Sequence, residues 1–467
     1  MVDQMTRTLL QVRSSKAFLV FAVCFAISTD MMLYGLIVPF APTALHEKAG
    51  LPLDDVPRWT SILLTLYGAA NTVVSRESSK AGIIFRESIC GYITDRVQSR
   101  QRPFLIGLLK LATATALLCV GKHLSLWIIG RLLQGASAAV VSTVGIAILV
   151  DNFDGEAALG QTLGYVAMAT IVGTTAGPLL GGVLYEHGGY YAPFGLAFGL
   201  LVLDFIFRLM MVDSRVIVEH SNSGHPTTSD EESWTDKSIL DKKQTSVESR
   251  VPEPLHDNSR SIGSTLILLR SPRMLTALLV YLIISTSMTS FDSVLPIFVH
   301  NTFAWAQTAQ GLIFICLMVP QVMSPLYGYT IDRWPRLRRY QAALALLGAV
   351  PILVCFRYVT QNTLEHKVLL CALLALIGTC FAILEPPIMV EISSIVEQIQ
   401  SKHPGIFGKG GATAFAYGLS NCAFAAGAMV GPFLGGWVRD TYGWATMGWV
   451  LALPLGASSL LVLGFFR

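Results

Sequence analysis

Charged side chains are scarce in this sequence. Only 13% of its 467 residues are Asp, Glu, Lys or Arg, whereas 53% are hydrophobic. A soluble domain carries about a quarter charged residues, so this composition excludes an ordinary soluble protein and predicts that most of the chain lies in lipid. The net charge of +3 is small and dispersed along the chain, which disfavours nucleic acid as a partner.

The cysteines show no metal-site or disulfide pattern. All eight fall within apolar runs, where a thiol acts as a small packing residue. The phosphate-binding pattern G-x-x-x-x-G-K-[ST] is also missing, which disfavours ATP as an energy source. We therefore predict no metal, no cofactor and no covalent chemistry, so the chain is not expected to be an enzyme. The cysteines are Cys24, Cys90, Cys119, Cys316, Cys355, Cys371, Cys380 and Cys422.

Long apolar runs are abundant. About twelve runs, mostly of roughly 17–25 residues, match the length of a transmembrane helix. A Ser-, Thr-, Asp- and Glu-rich segment separates the first six from the last six, and it is too polar to bury a core. The sequence thus predicts an all-α membrane protein of twelve transmembrane helices in two six-helix bundles. The predicted parts are an N-terminal arm at 1–16, a first bundle at 17–212, a disordered cytoplasmic linker at 213–260 and a second bundle at 261–467.

Lys and Arg are distributed unequally between the two ends of the predicted spans. The short segments on the side of the termini hold twelve of them, and those on the opposite side hold six. Such residues collect on the cytoplasmic side of membranes, so we predict that both termini are cytoplasmic. The lipid bilayer is the expected environment, in a plasma, vacuolar or vesicular membrane, and we expect a monomer.

One glycine-rich motif occurs twice. Gly173–Gly182 and Gly427–Gly436 are 254 positions apart, with every Gly and the Pro in register. Glycines at i, i+4 and i+8 form a smooth helical stripe that lets another helix approach closely. Ordinary helix packing explains one copy, whereas two copies predict structurally equivalent halves. The predicted packing residues are Gly173, Gly177, Pro178, Gly181, Gly427, Gly431, Pro432 and Gly435.

A second motif, Gly-x-x-x-Asp-Arg, also occurs once in each half. It closes an apolar run and opens a short basic loop. An Asp in this position can pair with a neighbouring helix end and hold the cytoplasmic side closed. An ordinary basic loop explains the arginines but not the repeated Gly and Asp. The predicted gating residues are Gly91, Asp95, Arg96, Arg100, Gly328, Asp332 and Arg333.

Ionisable residues within the apolar runs are few, and each should face a cavity or a partner because charge is costly in hydrocarbon. Asp204 and Arg208 are spaced i, i+4, which favours a local ion pair. Asp30, Arg131 and Glu385 have no such neighbour and are the functional candidates, and the two carboxyls among them are predicted to carry protons. The role of Asp292 stays open. The full set is Asp30, Lys110, Arg131, Asp204, Arg208, Asp292 and Glu385.

These motifs resemble those of the major facilitator superfamily. The loop signature matches at Gly91 and Asp95, the fourth-span signature at Arg131–Gly135, and the antiporter signature at the Gly-Pro motif of the fifth span. Within the family the chain is most similar to drug:proton antiporters of the vesicular amine transporter type, including fungal efflux pumps. Asp30–Pro39 resembles the first span of that group, and Glu385-Pro-Pro resembles its tenth.

The resemblance implies proton-coupled export of small amphipathic organic compounds by alternating access, from a cavity between the halves. Two positions depart from the amine transporters. Asn421 replaces an Asp of the eleventh span, and Tyr67 is the nearest equivalent of a Lys in the second span. These differences disfavour amine-neurotransmitter specificity. The implied cavity residues are Asp30, Tyr67, Arg131, Gln134, Asp292, Glu385 and Asn421.

The second span is too long and too charged. Trp59–Ile93 as one helix would measure about 50 Å, against a hydrocarbon core of about 30 Å. It could bulge out of the membrane, derive from a translated non-coding stretch, or mark a defective product, and we favour the second explanation. We predict a helix break between Asn71 and Ser88. The alternative function is therefore a transporter-like sensor or an inactive product. The charged residues are Arg76, Glu77, Lys80, Arg86 and Glu87.

Overall fold

The computed structural model describes residues 15–80, 101–153, 156–210, 270–402 and 411–466. Within these ranges the regular structure is helical throughout. The predicted linker at 213–260 and the first copy of the Gly-x-x-x-Asp-Arg loop at 91–100 lie outside the described residues. The domain boundaries near them stay predictions.

Seven helices lie in the described part of the first half. The short α2 follows α1 in the connection to α3, and the other six helices have the length of membrane spans. The helices are α1 Lys16–Leu36, α2 Ala41–Glu47, α3 Val56–Lys80, α4 Gln101–Val120, α5 Leu124–Asn152, α6 Glu156–Gly188 and α7 Tyr191–Met210.

The second half repeats this arrangement. Its helices are α8 Pro272–Phe303, α9 Gln307–Met318, α10 Ser324–Arg333, α11 Arg338–Cys355, α12 Leu364–Lys402, α13 Gly411–Tyr442 and α14 Trp444–Phe465. A 3-10 turn at Val319–Met323 joins α9 to α10, so these two helices form a single span. The described part of the chain thus forms twelve spans in two six-helix bundles, which confirms the predicted fold class.

Hydropathy supports this count. Within the described ranges ten helical segments are long and apolar enough to cross a membrane, and α4 adds the shorter apolar stretch Leu105–Val120. The remaining span, α3, is more polar. Large apolar side chains stand on the outer surface of the bundle, as expected where lipid replaces water. Examples from both halves are Leu109, Val172, Leu344, Val368, Leu453 and Leu460.

Glycine stripes hold the two central helix pairs together. In the first half α6 packs on α1, and a Cβ added at Gly173 or Gly181 would clash with the carbonyl oxygen of Ser28 or Leu36. In the second half α13 packs on α8 in the same way, with Gly427 facing Leu282. The repeated motif therefore occupies equivalent helix contacts in the two halves.

Close approach in the second half brings hydroxyl groups of α8 to backbone carbonyls of α13. Ser285 Oγ donates to the Phe424 carbonyl at 2.7 Å, and Ser290 Oγ donates to the Gly431 carbonyl at 2.8 Å. Ser293 Oγ donates to the Pro432 carbonyl at 3.2 Å. Hydrogen bonds of this kind add to the dispersion energy of helix packing in a membrane.

A leucine on this stripe should destabilise the protein. We expect Gly431→Leu to lower the melting temperature in detergent by several degrees, because its Cβ would overlap Thr289 and overpacking costs about 1–3 kcal/mol. Gly418 lies on the same helix, α13, with open space where a Cβ would stand. Gly418→Leu is therefore the matched control and should melt with the parent. Equal melting of the two variants would contradict the packing role of the stripe.

The helix α12 contains two adjacent prolines near the centre of the second half. In α12, Pro386 and Pro387 carry no amide hydrogen, so the carbonyls four residues earlier lose their usual partners. The side-chain amide of Gln341 in α11 donates to one of these carbonyls, that of Ile383, at 3.4 Å. The helix continues through both prolines, and this hydrogen bond replaces one of the two that they remove.

The second span shows no break in its described part. The helix α3 runs without interruption from Val56 to Lys80. The predicted interval for a break began at Asn71, so its first ten residues are helical. The rest of that interval, 81–88, lies outside the described residues.

Two close contacts between the halves lie at one end of the bundle that the described residues form. An even number of spans places Lys16 and Phe465 on the same side, which we call the terminus side. On the opposite side Gly182 of α6 abuts the Gln307 carbonyl of α9, and Gly436 of α13 abuts Ser61 of α3. The second glycine of each Gly-Gly pair thus faces the other half, so the two halves meet closely on the side away from the termini.

Candidate functional site

A cavity of about 160 Å³ lies between the halves, below the contacts just described. In another protein an apolar cavity of similar volume takes up benzene, so this one has room for a small organic group. Side chains of α1, α3, α5 and α6 line one wall, and side chains of the second half line the other. Its surface is mainly apolar, with aromatic and Met side chains that can adapt to varied shapes. These are Met31, Tyr34, Tyr67, Tyr281, Met288, Met318, Phe381, Met389 and Phe424.

The predicted cavity residues divide into two groups. Tyr67, Asp292, Glu385 and Asn421 belong to the cavity wall. A second layer behind the wall contains Asp30, Arg131 and Gln134, each with 2% of its surface exposed or less.

The helix α5 positions the basic group of this second layer. Arg131 and Gln134 are one turn apart, and Arg131 Nη1 donates to Gln134 Oε1 at 3.0 Å. The guanidinium also lies over the Tyr34 ring, 5.8 Å from its centroid, and donates to the Tyr34 carbonyl at 3.5 Å. Gly135 lets the backbone of α3 at Tyr67 approach α5 closely. The Arg131 charge thus lies against Tyr34, and α5 packs on α3 beside Tyr67.

Asp30 is joined to the cavity through Tyr67. The Tyr67 hydroxyl donates to Asp30 Oδ2 at 3.5 Å, while Oδ1 has no hydrogen-bond partner. A buried carboxyl oxygen without a donor is costly in the ionised state, which favours a group that can take up a proton. The Tyr67 ring lies against the Tyr34 ring with centroids 4.6 Å apart.

Asp292, whose role the sequence left open, bridges the two halves. The Tyr34 hydroxyl of α1 donates to Asp292 Oδ2 of α8 at 3.0 Å, and both side chains line the cavity. The residues are 258 positions apart. This hydrogen bond therefore belongs to the boundary between the bundles rather than to either bundle alone.

Glu385 lies on the second-half wall of the cavity, next to the prolines of α12. Ser324, the first residue of α10, donates to Glu385 Oε2 at 3.5 Å. The 3-10 turn before Ser324 contains Pro320, whose missing amide hydrogen is tolerated in such a tight turn. The turn also brings the Gln321 side chain to the cavity wall.

A buried charge cluster in the second half was missed by the sequence analysis. Glu391 of α12 is fully buried, and its Oε1 accepts from Arg273 of α8 at 2.9 and 2.6 Å. Arg338 Nη2 of α11 lies 2.6 Å from Glu391 Oε2. One carboxylate thereby ties together three helices near the terminus side.

The other predicted residues fall outside the cavity. Asp204 and Arg208 form the expected pair within α7, at 3.3 Å, and both side chains are buried. Gly328 lies on α10, and Arg333 ends that helix. Asp332 precedes it as the penultimate helical residue. The partner loop at 91–100 lies outside the described residues. Among those that are described, no cluster of three His, Cys, Asp or Glu side chains could hold a metal ion.

Twelve spans in two halves, with a cavity between them, define a membrane protein of the transporter class. The family model of the Major Facilitator Superfamily matches residues 20–403, and the chain belongs to this family. The resemblance found in the sequence is confirmed.

Relatives of nearly full length are transporters by name. The chain is 31% identical to the uncharacterised MFS-type transporter C18.02 of Schizosaccharomyces pombe, over 96% of this chain and 95% of that protein. It is 29% identical to the MFS-type transporter ppzB of Metarhizium rileyi, over 96% and 94%. A shorter match, 29% identical over 43% of this chain and 42% of the relative, is to the vesicular acetylcholine transporter of Torpedo marmorata.

Solved structures share the fold at low identity. The nucleoside transporter NupG superposes with a TM-score of 0.61 at 13% identity, covering 96% of this chain and 99% of that one. The human organic anion transporter MFSD10 superposes with a TM-score of 0.57 at 16% identity, with the same coverage. These likenesses show the architecture and say nothing about the substrate.

Proposed function

We propose that this transporter exports small amphipathic organic compounds, preferentially cationic ones, in exchange for protons. The observation that carries the proposal is the composition of the cavity wall. Among its described residues the charged ones are Asp292 and Glu385, both acidic, in an otherwise mainly apolar and aromatic surface. Carboxylates and aromatic faces attract organic cations, and apolar walls retain their hydrophobic parts.

Proton coupling is supported by the placement of the carboxyls. Asp30 belongs to the first half and Glu385 to the second, and among the described residues neither forms an ion pair. A carboxyl without a basic partner can bind a proton in one state and release it in another, as its access to water alternates. We assign the terminus side to the cytoplasm, because Lys and Arg collect there.

The continuous helix α3 supports a working product over the alternative of an inactive one. Tyr67 and Asn71 lie within the described part of this helix and line the cavity, so the second span contributes to the site.

Purified protein in liposomes tests the proposal. With an imposed pH gradient we expect accumulation of rhodamine 6G, an amphipathic cation, at least about tenfold above empty liposomes, with collapse of the gradient reported by an internal pH dye. Fluorescein, an anionic dye of similar ring size, is the matched control and should not accumulate. Accumulation of rhodamine 6G that persists after an ionophore removes the gradient would contradict proton coupling.

Antibody labelling of an N-terminal tag tests the orientation. In intact cells the tag should be protected, and it should become labelled once the plasma membrane alone is permeabilised and the internal membranes stay intact. Labelling of the tag on the opposite face would reverse the assignment of the terminus side.

A further inference from the structure

The hydrogen bond between Tyr34 and Asp292 joins the cavity to the contacts that close the side opposite the termini. Tyr34 immediately precedes Gly35, where an added Cβ would lie 2.7 Å from the Pro178 ring of α6. The carbonyl of Pro178 in turn abuts Gly311 of α9 in the other half. A displacement of Tyr34 is therefore transmitted to a backbone contact between the halves.

The second half has a matching connection. Asp292 precedes Ser293, whose hydroxyl donates to the Pro432 carbonyl at 3.2 Å. Pro432 belongs to the helix α13, in which Ala428 and Gly436 abut Gly68 and Ser61 of α3. Each end of the Tyr34–Asp292 hydrogen bond thus lies next to one copy of the Gly-Pro motif.

Charge makes this hydrogen bond sensitive to occupation of the cavity. A hydroxyl bonded to an ionised carboxylate is held about twice as strongly as one bonded to a neutral acceptor. Arg131 orients the ring from the other side, with its guanidinium 5.8 Å from the Tyr34 centroid. Since Asp292 also faces the cavity, a cation bound there neutralises the same carboxylate that Tyr34 uses.

We propose that the Tyr34 hydroxyl is a positioning group that holds the side opposite the termini closed while no cation is bound at Asp292, and that an organic cation bound there weakens this contact and lets that side open. The second clause rests on the proposed function, because it assumes a cationic substrate. The first does not.

Distance measurements on the full chain in liposomes test both clauses. Spin labels at Leu53→Cys and Leu364→Cys, with the native cysteines replaced, report the separation of the halves on the closed side. Both positions are exposed, at 68% and 77%, so the labels should not disturb packing. The probe is tetraphenylphosphonium, a cation that carries no transferable proton.

We expect Tyr34→Phe to raise the ratio of open to closed protein about tenfold without the probe, since a hydrogen bond to a charged group contributes about this factor. Tyr190→Phe is the matched control, because it removes a buried hydroxyl that lies outside the cavity and donates to the Leu118 carbonyl of the same half. It should leave the distances unchanged. Asp292→Asn should resemble the parent saturated with tetraphenylphosphonium and should no longer respond to the probe.

Three results would overturn the proposal. The distances in Tyr34→Phe could equal those of the parent, Tyr190→Phe could open the protein as much as Tyr34→Phe, or Asp292→Asn could still respond to the cation. Failure of proton-coupled export in the liposome assay is a separate result, because these distances are measured without a pH gradient. The melting temperature of each variant checks that it is folded.

Discussion

Asp30→Asn and Glu385→Gln should each reduce pH-gradient-driven transport to the level of empty liposomes. Each substitution keeps the shape of the side chain and its ability to accept from Tyr67 or Ser324, but removes the group that can take up and release a proton. The measurement is uptake of rhodamine 6G into liposomes with an imposed gradient. Exchange of the dye without a gradient should survive in at least one variant if the lost role is coupling rather than binding.

The matched controls are Asp54→Asn and Glu365→Gln. Both carboxyls are exposed, the first in the loop before α3 and the second in the first turn of α12. The control variants should transport like the parent. Full gradient-driven uptake in both Asp30→Asn and Glu385→Gln would remove these residues from the coupling mechanism.

Glu391→Gln should destabilise the protein more than either Asp30→Asn or Glu385→Gln. It leaves the guanidinium groups of Arg273 and Arg338 with no carboxylate between them, and breaking a buried ion pair costs about 3–5 kcal/mol. We expect this loss to appear as a lower melting temperature and a smaller folded fraction in detergent.

Two further variants separate burial from charge in this cluster. Asp440→Asn breaks a partly exposed pair with Arg439 and should change the free energy of unfolding by less than about 1 kcal/mol. The triple variant Arg273→Met, Arg338→Met, Glu391→Leu removes all three charges and should recover part of the stability lost in Glu391→Gln. A triple variant that is less stable than Glu391→Gln would show that the ion pairs stabilise the fold by more than the cost of burying their charges.

The fold could be predicted because hydropathy and internal repetition both act over long stretches of sequence. A transmembrane helix must satisfy its backbone internally, so apolar runs of sufficient length mark the spans without knowledge of packing. The repeated Gly-Pro motif added the division into halves. The end of an apolar run did not predict the end of its helix. The apolar run of the tenth span covers about 367–390 in the sequence, whereas the helix α12 extends over Leu364–Lys402.

That boundary explains why Glu391 was missed. It lies one position beyond that apolar run and was therefore not among the ionisable residues assigned to the spans. In the sequence its partner Arg338 belongs to the short basic loop predicted after the second Gly-x-x-x-Asp-Arg motif. A carboxyl just past an apolar run, with arginines at the starts of two other runs, is the signal that could have found the cluster.

Individual contacts at the cavity could not be predicted for a different reason. Asp30 and Glu385 stand out in the sequence because charge is rare in apolar runs. Tyr34 does not, because tyrosine is common in such runs, and its bond to Asp292 depends on the relative placement of two bundles. No local pattern encodes a contact over 258 positions.

The glycine contacts between the halves also bear on how fast the closed side can open. Gly182 and Gly311 meet backbone atoms of the opposite half, and glycine has no side-chain rotamers to lose when such a surface closes. Little side-chain entropy is therefore lost when these surfaces come into contact or gained when they separate. If this side opens as proposed, dispersion contacts and a few polar bonds set the barrier, rather than side-chain rearrangement.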